Sequence, residues 1–350
     1  MAAALLLVLS AHPSSAEDLS ASWQERLDKT VERLNKRFSG RIAVFIIDPT
    51  LGIRVGHDHL KPSYLASGVK LPFMVEVFRQ EHAGRLSLDE ELTYDADCVR
   101  DGAPRLNSKP FGAKLKIREL LDYMVRDSDN AASDMLATRV GVRNVNEGLE
   151  ALGFQGFTPL TTLLDVRRGI MRAVDVHTDD LSPLDIRTIR WIVGWEAQAA
   201  KFCELLGKPP RAYTKTEMQA GFQRFYDTGV NSARLDSVAA ILEQIVTRKL
   251  ISPESSDQML SYLSDVHTSR NRILGKLPPG TKVAHKTGSQ WERICDLGII
   301  TLPDGQPLIV TACLAGGNDR NLAEATLADL ARDAYDGAVA SHKGHSGVKP

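Results

Sequence analysis

Hydrophobic and polar residues follow two different periods along this chain. Residues 20–38 carry apolar side chains at helical spacing, whereas residues 41–56 alternate in the manner of a β-hairpin. The pattern is mostly helical between residues 67 and 267. Residues 321–340 form an amphipathic repeat that indicates a last helix. Three strands are predicted before it, over 283–287, 294–302 and 308–314.

Strands at both ends of the chain and helices between them predict an α+β fold. We expect one antiparallel sheet, built from both chain ends and flanked by helices, with an all-helical lobe inserted. The 350 residues are enough for a single domain with a sizeable core. Its α/β lobe would comprise about 20–66 and 268–340, and its helical lobe about 67–267. The remaining tail, 341–350, is expected to be disordered.

An apolar run, Ala2–Ala11, opens the chain and is followed by the small residues Ser14, Ser15 and Ala16. This order is typical of a signal peptide, which we place at residues 1–16. At about ten residues the run is too short to span a bilayer of ~30 Å, and no other stretch is long enough to do so. The mature protein is therefore expected to be secreted or periplasmic, with no membrane span.

Charge and cysteine content narrow the range of partners. The formal net charge is -1 and the basic residues form no stripe, so nucleic acid is not an expected partner. The four cysteines have no metal-binding spacing, and we predict neither a metal nor a cofactor. Cys295 and Cys313 lie in two predicted strands that flank a turn, where a disulfide and a pair of buried thiols are both compatible with the sequence. The sequence leaves the oligomeric state open.

The first group of residues that suggests chemistry is Ser67-Gly68-Val69-Lys70, at the start of an apolar helix. A spacing of three places the serine hydroxyl and the lysine amine on one helix face. A serine hydroxyl becomes a good nucleophile only when a neighbouring base takes its proton. Lys70 can be that base if its pKa falls from about 10.4 to about 7, through burial or a second cation nearby.

Two further groups of residues suggest chemistry when they are considered together with the first. Ser128-Asp129-Asn130 interrupts two helical stretches, and such a polar triplet is either a helix cap or a group that relays protons and orients substrate. His285-Lys286-Thr287-Gly288-Ser289 ends a strand. Lys286 would attract a carboxylate and depress the pKa of Lys70, and Gly288 would let a ligand backbone approach the strand edge.

The order S-x-x-K, S-D-N, K-T-G resembles that of class A serine β-lactamases and other penicillin-recognising serine hydrolases, over residues of about 20–165 and 225–340. The resemblance implies a class A β-lactamase-like fold, with Ser67 as the nucleophile and Lys70 as general base or proton shuttle. Ser128 would pass a proton to the β-lactam nitrogen. The resemblance assigns the oxyanion hole to the backbone N–H groups of Ser67 and Ser289, and substrate binding to Asn130, Lys286, Thr287, Gly288 and Ser289.

The chain departs from class A enzymes in two places. It lacks the E-x-x-L-N pattern, whose glutamate activates the water that releases the acyl-enzyme. It also has an additional helical segment at about 168–215, in which Trp191 and Trp195 are one helical turn apart and are expected to pack in a core. Counting back from Asn231 by the family's usual loop length gives Glu217 as the candidate deacylation base, although an exposed helix glutamate is the commoner occurrence.

Three functions remain open at this point. The leading one is hydrolysis of the β-lactam ring amide through a Ser67 acyl-enzyme, on a small-molecule β-lactam or D-alanyl peptide substrate. Without a competent deacylation base, the same site would serve a D-alanyl-D-alanine carboxypeptidase or a serine esterase, and β-lactams would stay on the serine. The third is a non-catalytic cell-wall or partner-binding module. Rapid turnover of a chromogenic cephalosporin would indicate the first function, and a persistent penicilloyl adduct the second. Failure to label Ser67 would indicate the third.

Overall fold

The computed structural model of the protein describes residues 16–178, 180–317 and 319–346. The signal peptide predicted at residues 1–16 lies outside these residues apart from Ala16, with which the first helix begins. Within the ranges just given, no helix is both long and apolar enough to cross a membrane.

The described residues form nine strands and twelve α-helices. The strands are β1 (Arg41–Asp48), β2 (Ile53–His57), β3 (Ser63–Tyr64), β4 (Glu91–Thr93), β5 (Lys114–Lys116), β6 (Ser232–Ala233), β7 (Val283–Gln290), β8 (Arg293–Thr301) and β9 (Pro307–Ala315). The helices are α1 (Ala16–Asn35), α2 (Lys70–His82), α3 (Ile117–Arg126), α4 (Asn130–Val140), α5 (Val142–Ala151), α6 (Leu163–Arg172), α7 (Pro183–Trp191), α8 (Trp195–Leu205), α9 (Lys215–Asp227), α10 (Leu235–Val246), α11 (Pro253–Leu263) and α12 (Arg320–Ser346).

A five-stranded antiparallel sheet forms the centre of one lobe. Its strand order, β2–β1–β9–β8–β7, joins the N-terminal hairpin to the three C-terminal strands. The predicted α+β fold, with a sheet built from both chain ends, is therefore confirmed. The edge strand β7 contacts the helical lobe through the 3₁₀ turn Ala66–Val69 and through α11. The two lobes meet along this edge and also where α10 packs against β1, β8 and β9.

Both faces of the sheet are buried, which explains why β1 is apolar almost throughout. Because successive side chains of a strand point to opposite faces, the even-numbered positions 42–46 pack with α1 and α12 in one core. The odd-numbered positions 43–47 pack in a second core with α2 and the inserted helices. The sheet therefore separates two hydrophobic cores, and the second of these reaches the serine-bearing turn.

Helix α2 runs through the centre of the helical lobe. It contacts α3, α4, α5 and α11, and ten of its thirteen residues are buried. A helix that is apolar on nearly all sides is stable only when other elements surround it. Lys70 is the first residue of this helix and is consequently removed from solvent.

The additional segment is helical and has a small core of its own, which includes Ile186, Ile189 and Phe202. The expectation that Trp191 and Trp195 both pack in a core is wrong for Trp191, which is 64% exposed. Helix α7 ends at Trp191, and α8 begins at Trp195 after Gly194, whose φ is +96°. A left-handed glycine breaks the helical pattern and turns the two rings in different directions.

Cys295 and Cys313 face each other across β8 and β9 and form a disulfide. Of the two arrangements compatible with the sequence, the bridge is thus the one observed. Cys98 and Cys203 are free thiols. The bridge lies on the strand next to β7, since Cys295 pairs with Gly288 in the sheet register.

Helix α12 continues to Ser346, so the prediction of a disordered tail from 341 is wrong for 341–346. His342 accounts for the difference. It is buried, with its Nε2 atom 2.7 Å from Asp48 Oδ2 and its Nδ1 atom 2.6 Å from Asp304 Oδ2. These carboxylates attach the end of α12 to the sheet and the β8–β9 turn. Residues 347–350 lie outside the described part of the chain.

Replacing His342 with glutamine should destabilise the fold most at low pH. Burial lowers the pKa of His342, but hydrogen bonds to Asp48 and Asp304 outweigh it and raise the pKa above its ordinary value. The stabilisation is therefore complete below about pH 6.5 and is lost as pH rises through the higher pKa of the folded state. We expect a loss of about 1.5–3 kcal/mol in the free energy of unfolding at pH 5.5, and less at pH 9.

Urea unfolding of both proteins at the two pH values measures this effect. The exposed His82 provides the control, and His82→Gln should leave stability unchanged at both. An equal loss for His342→Gln at pH 5.5 and pH 9 would contradict a charged histidine at this position.

Candidate active site

Ser67 lies in the 3₁₀ turn Ala66–Val69, directly before α2. The preceding residue, Ala66, has a φ of +49°, a left-handed conformation that alanine adopts only when its surroundings impose it. The half-buried Ser67 opens on a small pocket between the lobes. The pocket is lined by Tyr64, Ala66, Ser67, Asn130, Leu163, Val166, Arg167, Ser289 and Gln290.

Lys70 is fully buried, and its ammonium group contacts the polar triplet between α3 and α4. Nζ lies 2.5 Å from the Ser128 carbonyl, 3.1 Å from Ser128 Oγ and 2.7 Å from Asn130 Oδ1. Burial, and secondarily the positive charge of Lys286, hold the pKa of Lys70 well below its ordinary value. Both causes favour the neutral amine that a general base requires.

The triplet Ser128-Asp129-Asn130 is both a helix cap and part of the polar site. Asp129 is the N-cap of α4, and its carboxylate accepts hydrogen bonds from the backbone of Ala132, Arg105 and Leu106. Ser128, with a φ of +56°, and Asn130 on either side are thereby turned toward Lys70. The cap and the functional interpretation of this motif are therefore compatible.

Lys286 brings a second buried ammonium group to the same hydroxyl. Its Nζ atom lies 3.0 Å from Ser128 Oγ and 3.1 Å from the Thr287 carbonyl. Burial is the main cause that lowers the pKa of Lys286 to about 7. Ser128 Oγ thus lies between two amines that are both easily deprotonated, an arrangement suited to passing a proton.

Replacing Lys286 with glutamine should move the acid limb of the pH–acylation profile to higher pH. If Lys70 is the general base that the motif predicts, acylation requires its neutral form and increases as pH rises through the pKa of Lys70. Loss of the neighbouring positive charge raises that pKa, since Lys286 is one of the groups that lower it. The measurement is the second-order rate constant for labelling of Ser67 as a function of pH, from which the midpoint of the acid limb is read.

The exposed Lys282, on the same stretch of chain, supplies the matched control. Lys282→Gln should leave the limb in place. An unmoved limb in the Lys286→Gln protein would show that the two lysines are not electrostatically coupled.

Arg272 is a positioning residue that the sequence does not reveal. It is completely buried and donates hydrogen bonds to the Ser289 hydroxyl (2.6 Å) and to the carbonyls of Gly288 (2.8 Å) and Cys295 (2.9 Å). Glu324 on α12 balances its charge. Because Arg272 occupies an acceptor position of the Ser289 hydroxyl, that hydroxyl is oriented to donate toward the cleft. Thr287 is held in a similar way by Thr268, at 2.7 Å between the two Oγ1 atoms.

Gly288 has a different role from the one expected. A Cβ atom at this position would lie 2.2 Å from the Leu65 carbonyl oxygen and 3.2 Å from the Gly68 nitrogen. The space left by the missing side chain is filled by the protein's own backbone, not by a ligand. Gly288 therefore allows the turn that carries Ser67 to lie directly against β7.

The structure does not bring Glu217 to this site. Glu217 is exposed at the start of α9, where its carboxylate and the Thr214 hydroxyl form a capping box. Tyr226, near the other end of α9, is close to the site because its ring contacts that of Tyr64, which lines the Ser67 pocket. Nine residues of helix, about 13 Å, separate Glu217 from Tyr226. The candidate deacylation base from sequence counting is thus corrected to a helix cap.

One wall of the Ser67 pocket comes from the start of α6. Leu163 and Val166 line the pocket with apolar groups, and Asp134 fixes this wall by accepting the backbone N–H of Leu163 at 2.7 Å. Arg167 lines it beside them and pairs with Asp101 at 2.7 Å. Among the described residues that line the Ser67 pocket there is no carboxylate.

Comparison with known proteins identifies the family. The profile of the Beta-lactamase enzyme family matches residues 26–338. Two relatives from Pseudomonas aeruginosa align along most of the chain. β-Lactamase VEB-1 is 23% identical over 319 residues, covering 88% of this chain and 89% of the relative. The extended-spectrum β-lactamase PER-1 is 31% identical over 306 residues, covering 82% of each. The chain belongs to the Beta-lactamase enzyme family and is a serine hydrolase of the β-lactamase type.

Solved structures agree on the fold. The TLA-3 extended-spectrum β-lactamase superposes with a TM-score of 0.70 at 19% identity, covering 90% of this chain and 99% of the other. A β-lactamase from Chitinophaga pinensis gives 0.69 at 22% identity, with 89% and 99% covered. A mutant of PBP-A, solved as an acyl-enzyme complex with penicillin G, gives 0.67 at 17% identity, with 89% and 95% covered. The expected class A β-lactamase-like fold is confirmed.

Proposed function

We propose that Ser67 opens the amide of a β-lactam ring and becomes acylated. The Ser67 oxygen bonds to the ring carbonyl carbon, the ring C–N bond breaks, and the serine proton moves to the ring nitrogen. Lys70 receives this proton first, because burial and Lys286 favour its neutral amine. The Ser128 hydroxyl, which contacts both lysines, passes the proton to the leaving nitrogen.

Substrate binding is assigned to the strand edge and the triplet. Lys286, Thr287 and Ser289 hold the substrate carboxylate, with Arg272 orienting the Ser289 hydroxyl. Asn130 orients the substrate and Lys70 together. The backbone N–H groups of Ser67 and Ser289 form the oxyanion hole, a type of donor pair that typically contributes ~3 kcal/mol.

A single observation carries this proposal: Ser128 Oγ lies 3.1 Å from Lys70 Nζ and 3.0 Å from Lys286 Nζ, and both lysines are buried. Two ammonium groups at one hydroxyl are costly in a folded protein unless one of them is neutral. Lys70, three residues after Ser67, can then supply the neutral amine that acylation of Ser67 requires. A surface or packing role does not explain this arrangement.

Release of the acyl group distinguishes the two enzymatic candidates. The apolar wall of Leu163 and Val166, and the lack of a carboxylate among the described residues lining the pocket, favour slow release of a penicilloyl group. D-Alanyl peptides or esters could still turn over on the same serine, as in a D-alanyl-D-alanine carboxypeptidase. Membership of the family supports hydrolysis of β-lactams, and we propose that acylation of Ser67 is rapid and release of the acyl group is the slower step.

Mass spectrometry after brief and long exposure to benzylpenicillin tests both steps. We expect one penicilloyl adduct on Ser67 within the brief exposure, its persistence into the long one, and no adduct on Ser67→Ala. Rapid disappearance of the adduct, together with fast turnover of a chromogenic cephalosporin, would instead show an efficient β-lactamase. Failure of Ser67 to react with any β-lactam or fluorophosphonate would leave only a binding module.

We also propose that the protein is exported. The apolar run Ala2–Ala11 with small residues after it supports removal of a signal peptide. The Cys295–Cys313 disulfide supports an oxidising compartment, because such bridges are rare in the cytosol. Fractionation of the native organism's cells, with N-terminal sequencing of the protein, tests both points. A cytoplasmic protein that retains Met1 would contradict them.

A further inference from the structure

A larger cavity of about 430 Å³ adjoins the Ser67 pocket. The two share Arg167, Ser289 and Gln290, so a molecule attached to Ser67 can extend from one into the other. The insertion contributes Arg190 and Trp195 on one side, and the turn between β7 and β8 contributes Trp291 on the other. This cavity, which we call the arginine pocket, is thus built partly by the segment that distinguishes this chain from class A enzymes.

The charge of the arginine pocket is strongly positive. Among the described residues, four arginines line it, Arg167, Arg190, Arg293 and Arg320, against one lining carboxylate, that of Glu292. Arg167 is paired with Asp101, and Arg320 shares Glu324 with the buried Arg272. Arg293 donates its hydrogen bonds to the Glu292 carbonyl and the Gln223 side chain, which are both uncharged acceptors. The positive charges at the cavity therefore exceed the carboxylates available to them.

Arg190 is the lining arginine that has an unpartnered donor among the described residues, although its guanidinium group also lies over the ring of Phe222. It donates to Gln198 Oε1 at 3.0 Å, but its Nε atom is buried, lies 3.8 Å from Asp101 and has no hydrogen-bond partner among the described residues. Gln290 Oε1 is buried without a partner too, but as an acceptor it offers no hydrogen bond to an anion. Burial and Arg167 lower the pKa of Arg190 to about 10, so its charge is present at neutral pH but poorly compensated. Unpaired buried donors of this kind favour binding of an anion.

The walls beside these arginines are aromatic. The rings of Trp195 and Trp291 meet edge-to-face at 6.0 Å between centroids, and Phe222 packs against both, at 5.6 Å and 5.8 Å. Such a corner accommodates a flat apolar group and excludes water, which strengthens a neighbouring ion pair.

We propose that the arginine pocket binds the acyl-side arm of the substrate and selects arms that carry both a carboxylate and a flat apolar group. This inference rests on the proposed acylation of Ser67. With the substrate carboxylate held at Thr287 and Ser289 and the scissile bond at Ser67, the acyl side extends toward Gln290 and Trp291. Arg190 supplies the charge that recognises the arm, and Trp195 supplies the apolar wall.

A matched pair of penicillins tests the selection. Benzylpenicillin and α-carboxybenzylpenicillin differ by one carboxylate on the acyl-side arm. We expect the carboxylated compound to acylate the native protein about tenfold faster, as one additional charge-assisted hydrogen bond allows. Arg190→Gln should bring the ratio of the two rate constants close to one. The ratio cancels any general damage to the serine, since both substrates use it.

Arg187→Gln is the control, because Arg187 lies one turn earlier on α7, stacks on Trp191 and does not line the cavity. It should keep the native ratio. A native ratio at or below one, or a ratio unchanged by Arg190→Gln, would overturn the inference while leaving acylation intact. If neither penicillin labels Ser67, the proposed function fails instead. Calorimetric titration of the Ser67→Ala protein with phenylmalonate then tests anion binding by the arginine pocket without any reaction at Ser67. Adding Arg190→Gln should weaken the binding of phenylmalonate about tenfold. Equal affinity of the two proteins, or no binding to either, would overturn the inference.

Discussion

Replacement of Lys70 by methionine is expected to slow acylation of Ser67 by about 10²–10⁴-fold, the usual range for loss of a general base. The reason is local. Lys70 Nζ is fully buried, contacts Ser128 and Asn130, and has a strongly lowered pKa. With methionine in its place, no described side chain that contacts the Ser128 hydroxyl is a base except Lys286. Methionine also fills most of the volume of lysine, so the centre of the helical lobe stays packed.

The measurement is the second-order rate constant for formation of the penicilloyl adduct, followed by mass spectrometry. The exposed Lys109 serves as control, and Lys109→Met should acylate at the native rate. Urea unfolding of Lys70→Met checks that the fold is retained. A folded Lys70→Met protein that is acylated within a factor of ten of the native rate would assign the base to another group, with Lys286 the first alternative.

The sheet could be predicted closely because its signal is local. The predicted strands at 294–302 and 308–314 differ from β8 and β9 by no more than one residue at each end. The apolar run of β1 likewise follows from burial on both faces. The elements that were predicted wrongly depend on distant contacts. His342 keeps α12 helical through Asp48 and Asp304, which are 294 and 38 residues away in sequence.

The same distinction applies to the site. Lys70 and Lys286 both contact the Ser128 hydroxyl, an association that the motif order indicates, and Ser67 lies three residues before Lys70 on the adjoining turn. The role of Arg272 could not be identified from the sequence, because its partners Ser289 and Glu324 are brought to it by the sheet and by α12. Glu217 was placed by counting loop residues, and an inserted segment makes such a count unreliable. Its capping box with Thr214 was readable in the sequence as T-x-x-E.

The electrostatics of the cleft also explain why two lysines can be buried together. Burial is the main cause that disfavours the charged form of both lysines, and the positive charge of Lys286 adds to the effect on Lys70, as that of Arg272 does on Lys286. The cost is limited because Asn130 Oδ1, the Ser128 carbonyl and the Thr287 carbonyl accept their hydrogen bonds. A substrate carboxylate that arrives beside Lys286 would favour the charged form of Lys286.

Placing a carboxylate at position 163 should accelerate release of the acyl group. Leu163 lines the Ser67 pocket at the start of α6, where its backbone is anchored by Asp134. Burial would raise the pKa of a glutamate there and Arg167 would lower it, which suits a base that activates water near neutral pH. We expect Leu163→Glu to hydrolyse its penicilloyl adduct about 10²-fold faster than Leu163→Gln, which has the same shape but no base.

The Glu/Gln comparison separates chemistry from packing, because both substitutions place a polar group at a buried leucine and destabilise the fold to a similar extent. The lifetime of the adduct after removal of excess benzylpenicillin is the quantity to measure, with acylation rates recorded for both proteins. Equal lifetimes in two folded, acylated variants would show that lack of a carboxylate on the α6 wall does not limit release. The limiting factor would then be access of water to the ester, which the same apolar wall of Leu163 and Val166 controls.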